Sequence, residues 1–169
     1  LRLVSSVDDL CAYLHDAGTR RVFVLGTRAL RSHLRSCGFS VTSGDPDLVI
    51  VGFDTELDFA KLTMATRLIS AGVPYVITHP DVACPTPAGP LPDAGALRAA
   101  LVAATGIEPS RIFGKPSQSM LQAAACRAGC DPTCLLVVGD RVATDVAMAR
   151  TGGAVSALVL TGVTSRADL

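Results

Sequence analysis

Asp140 and Asp145 follow the apolar run Leu135-Leu136-Val137-Val138, with Gly139 between the run and the first carboxylate. A short continuous Leu/Val run reads as a strand buried on both faces, and in an open parallel sheet ligands bind just beyond the carboxyl ends of the strands. Glycine at that point permits a sharp turn and a close approach of backbone to ligand. Two oxygen donors in such a crevice suit a hard cation such as Mg²⁺, which takes few protein carboxylates and keeps the rest of its shell for water and phosphate. The same pair also fits a plainer reading, in which Asp140 caps the next helix and Asp145 complements its dipole. A cation stands upstream in Gly114-Lys115-Pro116, and Lys115 is one of only two lysines in the chain, the other being Lys61. An ammonium at a strand-to-helix junction can steady negative charge developing on a transferring phosphoryl group; the alternative is a solvated surface lysine.

A second candidate region is the proline-dense stretch Thr78–Ala94, THPDVACPTPAGPLPDA, which carries five prolines and follows a strand end. Irregular stretches of this length within a compact domain are usually functional or disordered, and proline favours a stiff shape. His79 and Asp81 are its candidate ligand contacts, set against the commoner role of a loop histidine as a surface hydrogen-bonding group.

These residues need a scaffold, and strands alternate with helices along the whole chain. Strand-length apolar runs lie at 21–26, 47–52, 74–78, 135–139 and 156–161, with a shorter one at 111–113. Helical patterns cover about 6–17, 27–37, 57–71, 94–105, 117–129 and 143–151. Leu30, Leu34 and Cys37 share one helix face, and Leu62, Ala65, Leu68 and Ile69 share another. Gly38, Gly72 and Gly106 punctuate helix ends. The pattern predicts βαβ units with parallel sheets.

Composition narrows the class of partner. The chain has 169 residues, 49% hydrophobic and 18% charged, which suits a globular core and excludes a disordered or coiled-coil chain. Lys+Arg and Asp+Glu balance at 15 each, so there is no electrostatic case for nucleic acid or an anionic membrane. No apolar run approaches the roughly 20 residues of a membrane span, and the expected setting is cytoplasmic. Of the six cysteines, Cys126, Cys130 and Cys134 are spaced four apart, but Cys11, Cys37 and Cys84 are scattered singly and supply no second ligand pair. The cysteines are therefore expected to act as small buried hydrophobes in preference to a zinc site.

In order and spacing, GKPS (114–117), VVGDRVATD (137–145) and LVLTGVTSRADL (158–169) resemble the haloacid dehalogenase (HAD) superfamily, most closely its NagD-like branch of small-metabolite phosphatases. RVFVLGTRAL, PDLVIVGFD, ITHPDVACPT and ALRAALVAATG are similar to the large α/β cap of that branch, so the resemblance covers nearly the whole chain. It implies an α/β fold: an incomplete parallel-sheet, Rossmann-like core at 111–169, a cap of the C2 type at 18–110, and a linker or core remnant at 1–17. It implies Mg²⁺-dependent hydrolysis of a small phosphorylated metabolite, with Lys115 stabilising charge, Asp140 as metal ligand and Asp145 holding the metal waters and Lys115 in place. His79, Asp81 and Arg141 are the implied substrate contacts, and pairing of two copies through the cap is implied as well.

Members of the family open with a strand ending in D-x-D-G-T, whose first aspartate attacks phosphorus and whose second serves as acid and base. That motif is not in these 169 residues, nor is a strand ending in Thr or Ser followed by Asn. The only D-x-D, Asp45-Pro46-Asp47, precedes its strand and so falls at the wrong end of a parallel sheet; it reads as a turn that opens the strand. Ala143 stands where these enzymes carry Asp, and Pro92-Asp93-Ala94-Gly95 where the branch tends to have Pro-Gly. The expectation is a chain without the amino-terminal part of the core, catalytically incomplete alone, whose remaining core strands have an unpaired edge. The competing expectation is a non-catalytic binding module that keeps the fold.

Overall fold

A computed structural model describes residues 3–169 as a mixed α/β fold. The chain divides into two compact units, one made of Leu10–Phe113 and the other of Gly114–Leu169 together with the stretch ending at Asp9. The division falls within the first helix, α1 (Ser6–Asp16).

The Leu10–Phe113 unit is built on β1 (Arg21–Leu25), α2 (Arg28–Ser36), β2 (Ser40–Val41), β3 (Leu48–Val51), α3 (Phe59–Ser70), β4 (Tyr75–Ile77), β5 (Ala83–Cys84), β6 (Leu91–Pro92), α4 (Ala94–Thr105) and β7 (Arg111–Ile112). Five of its strands form one sheet in the order β2-β1-β3-β4-β7, and every pairing is parallel. All four residues of β3 and all three of β4 are buried, which is why these strands carry no polar residue at alternate positions. Leu25, Val49, Val51, Tyr75 and Ile77 pack with Ala65 and Ile69 of α3 and Leu97 and Leu101 of α4. The two glycines that end the runs RVFVLG and DLVIVG have a common cause. A Cβ on Gly26 or on Gly52 would lie 2.8 Å from Leu30 Cδ2, so Leu30 of α2 seats over both strand ends.

Asp45-Pro46-Asp47 does sit at the amino ends of the strands. Asp47 accepts hydrogen bonds from the Arg20 and Arg21 backbone N–H groups and from the Arg21 guanidinium, while Asp45, at φ 51°, takes the other guanidinium arm at 2.6 Å. The motif clamps β1 to β3. The proline-dense stretch is more regular than its composition predicts: β5 and β6 pair antiparallel, with Thr86 Oγ1 donating to the Gly89 carbonyl in the turn between them. Pro85, Pro87 and Pro90 lie outside the two-residue ladder, while Pro92 sits in it opposite Ala83, on an edge strand where proline is tolerated.

In the second unit, α5 (Gln118–Ala128), β8 (Leu136–Gly139), α6 (Ala147–Gly152) and β9 (Val155–Leu158) follow in order. β8 and β9 form a parallel two-stranded sheet. Leu121 and Ala125 of α5 and Met148 and Ala149 of α6 are buried, and a Cβ on Gly152 would collide with Leu121, so that glycine sets how closely the two helices approach. The amino-terminal stretch is tied to α5 by Ser119 Oγ donating to Asp9 at 2.6 Å and by the Arg127 guanidinium donating to the Leu3 carbonyl. The other face of the strands is open: Leu136, Val138 and Val155 are about 60% exposed.

Two elements depart from the expectation set by the sequence. The helix expected over 143–151 begins as a wide turn at Val142–Val146, in which Val146 N–H reaches back to the Arg141 carbonyl, and becomes α-helical only at Ala147. Cys126, Cys130 and Cys134 are exposed and do not pack as core residues. The buried face of α5 is set by Leu121 and Ala125, and Cys126 is rotated off it.

Candidate functional site

The strands β8 and β9 run side by side, so their carboxyl ends bring two loops together: 140–146 after β8 and 159–164 after β9. Asp140 is the first residue past β8. Its Oδ2 accepts from the Val163 backbone N–H at 2.7 Å, and its carbonyl accepts from Thr164 N–H at 3.0 Å, which fastens the β9 loop around it. A side chain on Gly162 would occupy the space of the Asp140 carboxylate. The Val163 hydrogen bond, aided by the positive charges of Arg141 and Lys115, holds the Asp140 carboxyl below the usual carboxylate range.

Asp145 lies in the wide turn and is 4% exposed. Its Oδ1 accepts from Lys115 Nζ at 2.7 Å and its Oδ2 from the Arg141 backbone N–H at 3.1 Å. Lys115 belongs to the tight Gly114–Ser117 turn, closed by Ser117 N–H donating to the Gly114 carbonyl, and α5 is capped by Ser117 Oγ. The structure therefore brings together Lys115 and Asp145, with Asp140 five residues before Asp145 at the same strand end. Of the plainer reading, the Asp140 cap is not seen, whereas Asp145 does lie in the first turn of the helical segment and accepts from the Arg141 N–H at its cap position. Asp140 bonds across to the β9 loop and Asp145 bonds to an ammonium, while the cap position of the turn is Arg141, which makes no side-chain capping bond.

Two features of this site escaped sequence reasoning. Gly162 and the Val163 N–H complete the seat of Asp140, and only the T-G-V turn following β9 hinted at them. Thr144 Oγ1 is buried with no hydrogen-bond partner among the described residues, and a single threonine leaves no such trace in sequence.

His79 and Asp81 lie in the Leu10–Phe113 unit. His79 Nδ1 meets Thr78 Oγ1 at 2.8 Å and its Nε2 meets Asp93 Oδ1 at 2.7 Å, so both ring nitrogens are engaged within the protein. Asp93 caps α4, accepting from Ala94 N–H at 2.6 Å. Gly95 N–H donates to the Asp81 carbonyl at 2.8 Å, and a Cβ there would run into the Pro80 and Asp81 carbonyls. Asp93 and Gly95, a departure from the expected Pro-Gly pattern, thus fix the path of the loop carrying His79 and Asp81. Arg141 contributes its backbone N–H to Asp145 in the other unit.

The chain is similar to known proteins in sequence and in fold. Residues 112–169 match the HAD-hydrolase-like family. The chain is 34% identical over 147 residues to dihydroxyacetone phosphatase of Corynebacterium glutamicum strain R, covering 87% of this chain and 53% of that one. It superposes on glycerol phosphate phosphatase of Mycobacterium tuberculosis in complex with magnesium with a TM-score of 0.88 and 35% identity, covering 98% of this chain and 51% of that one. On NagD of E. coli K-12 the TM-score is 0.86 at 29% identity, covering 96% and 64%. The chain spans about half the length of the two named metabolite phosphatases.

Proposed function

The chain belongs to the haloacid dehalogenase superfamily, in its NagD-like branch, and from that premise we propose that it forms the metal-binding and charge-stabilising part of a Mg²⁺-dependent phosphatase acting on a small phosphorylated metabolite. The observation that carries the proposal is the Lys115–Asp145 pair at 2.7 Å, set at the strand end that also presents Asp140.

The donor set fits the ion. Asp140 is kept ionised below the usual range by a backbone N–H, and an oxygen donor of that kind suits a hard cation. Bound there, Mg²⁺ would offset charge on the phosphoryl oxygens. Asp140 is the ligand. Asp145 orients Lys115 through one oxygen and the Arg141 backbone through the other, and so fixes where the ammonium points. Lys115 remains 44% exposed at its side chain, which leaves its ammonium accessible to a phosphoryl oxygen. In this reading Arg141 contacts substrate beside the metal site, and in the other unit His79, held at both nitrogens, shapes the loop that carries Asp81. A cytoplasmic setting and pairing through the 18–110 region complete the proposal, to be read by fractionation and sedimentation.

The attacking carboxylate comes from outside these 169 residues, since no D-x-D-G-T occurs among them. The 169-residue chain alone is then expected to hydrolyse p-nitrophenyl phosphate with Mg²⁺ no faster than its Asp140→Ala variant. Asp140-dependent turnover would show that another residue attacks phosphorus and would overturn that division of labour. For the metal site itself, calorimetry is expected to show Mg²⁺ binding that is lost in Asp140→Asn. An in-frame D-x-D-G-T upstream of Leu1 would support the phosphatase, and a panel of phosphometabolites assayed on that longer protein would name the substrate. Independent translation of these residues without the motif would favour a non-catalytic module.

A further inference from the structure

We propose that Cys11, His33 and Cys37 form a zinc-binding site joining α1 to α2, separate from the phosphatase chemistry. The three donor atoms, two thiol sulfurs and one imidazole nitrogen, all lie within 4.8 Å of one another. All three residues belong to the Leu10–Phe113 unit.

Their convergence has a local cause. His33 and Cys37 are one helical turn apart, so their side chains share a face of α2. Cys37 is the cap residue of that helix and donates its N–H to the His33 carbonyl at 3.0 Å, which holds the last turn closed. Its Sγ lies 3.6 Å from His33 Nε2. Zinc bonds of about 2.3 Å to sulfur and about 2.05 Å to nitrogen at a tetrahedral angle place those two atoms about 3.6 Å apart, and two sulfurs about 3.8 Å apart. The Cys37–His33 pair already has the dimension of a tetrahedral edge, and Cys11 has at most about 1.2 Å to close toward His33 and about 1 Å toward Cys37.

Donor chemistry selects the ion. Two thiolates and an imidazole favour a borderline-soft metal over Mg²⁺, which prefers oxygen. Three protein ligands leave a fourth position for water. His33 is exposed and Cys37 half-buried, which provides an entry path, while Cys11, at 8% exposure, forms the floor. A bound ion would cross-link two helices that the sequence places on either side of β1.

The test uses the reduced full chain carrying Cys126→Ser, Cys130→Ser and Cys134→Ser, which silences the exposed cysteines. Co²⁺ is the optical probe and Zn²⁺ the competitor. One equivalent of Co²⁺ is expected to give a thiolate-to-cobalt charge-transfer band that Zn²⁺ abolishes. His33→Gln and Cys37→Ser should each weaken binding by at least about tenfold. Both positions lie outside the core, so circular dichroism should show the fold retained, and Asp140→Asn should leave the band unchanged, which keeps this result distinct from the Mg²⁺ site. A missing band, or binding indifferent to both substitutions, overturns the site. So does a Cys11–Cys37 disulfide in the oxidised chain with no metal uptake once reduced.

Discussion

Asp145 can occupy its position between Lys115 and the Arg141 backbone only because residue 139 has no Cβ: an added methyl there would lie inside the Asp145 carboxylate. The glycine of the G-D turn is thus a packing requirement of the acid beside it. Gly139→Ala is expected to destabilise the chain by about 1–3 kcal/mol, the usual range for forcing a methylene into a filled site. It should also displace the Lys115 ammonium. Urea unfolding measures the first effect. Unchanged stability in Gly139→Ala would show that Asp145 has room to move aside.

Lys115 and Asp145 should respond unequally to substitution. Lys115 is nearly half exposed, so its ion pair is screened by solvent, and Lys115→Met is expected to cost no more than about 1 kcal/mol. Asp145→Asn keeps the size of the buried group but gives the position facing the ammonium or the N–H a donor in place of an acceptor, and the expected cost is about 1–3 kcal/mol. A double-mutant cycle separates the coupling from the single effects. Equal costs in the two single variants would refute the asymmetry.

The clamp between β1 and β3 gives a pH prediction. Hydrogen bonds from the Arg21 side chain, followed by those from the Arg21 and Arg20 backbone, bring the Asp47 carboxyl from 3.8 down to about 2. A pKa lower in the folded chain than in the unfolded one means that the unfolded chain binds the proton more readily as pH drops. The stabilisation is therefore complete above pH 4 or so and disappears as pH falls from about 3.8 to about 2. Asp47→Asn should flatten the acid limb of stability in that window and leave its slope near neutrality alone. An identical acid limb in the variant would remove the clamp from the account.

Thr144 is the odd group in the turn, a buried hydroxyl with no partner among the described residues. Burying a hydroxyl without a hydrogen bond costs about 1–3 kcal/mol, and valine keeps the shape without that cost. Thr144→Val is expected to be neutral or to stabilise by up to about 1 kcal/mol. A clear loss on thermal unfolding would mean that the hydroxyl has a role in the fold.

Much of the scaffold was legible because its strands are buried on both faces. LVIV and YVI leave no polar position for any other reading, and Gly106, at φ +71°, ends α4 as its place in the sequence predicts. The positions of Lys115 and Asp140 were legible because Gly114 and Pro116 flank the one and Gly139 precedes the other at strand ends, and that of Asp145 because it follows Asp140 by five residues. The wide turn at Val142–Val146 was not, since shifting a hydrogen bond by one residue changes backbone geometry without changing which positions are apolar. The meeting of Cys11 with His33 and Cys37 was hidden for a different reason. It depends on how two helices pack beside a sheet, and no local spacing records that.

A parallel pair of strands with one bare apolar side has few contacts to keep its amides from opening. In deuterated buffer, Val137 and Gly139 of this chain should therefore exchange their amide hydrogens well before Val49 and Ile50, which sit in the middle of the five-stranded sheet. The strand ends that carry Asp140 and Asp145 would then fluctuate before the middle of the five-stranded sheet, and any molecule that lays itself over Leu136, Val138 and Val155 would slow them.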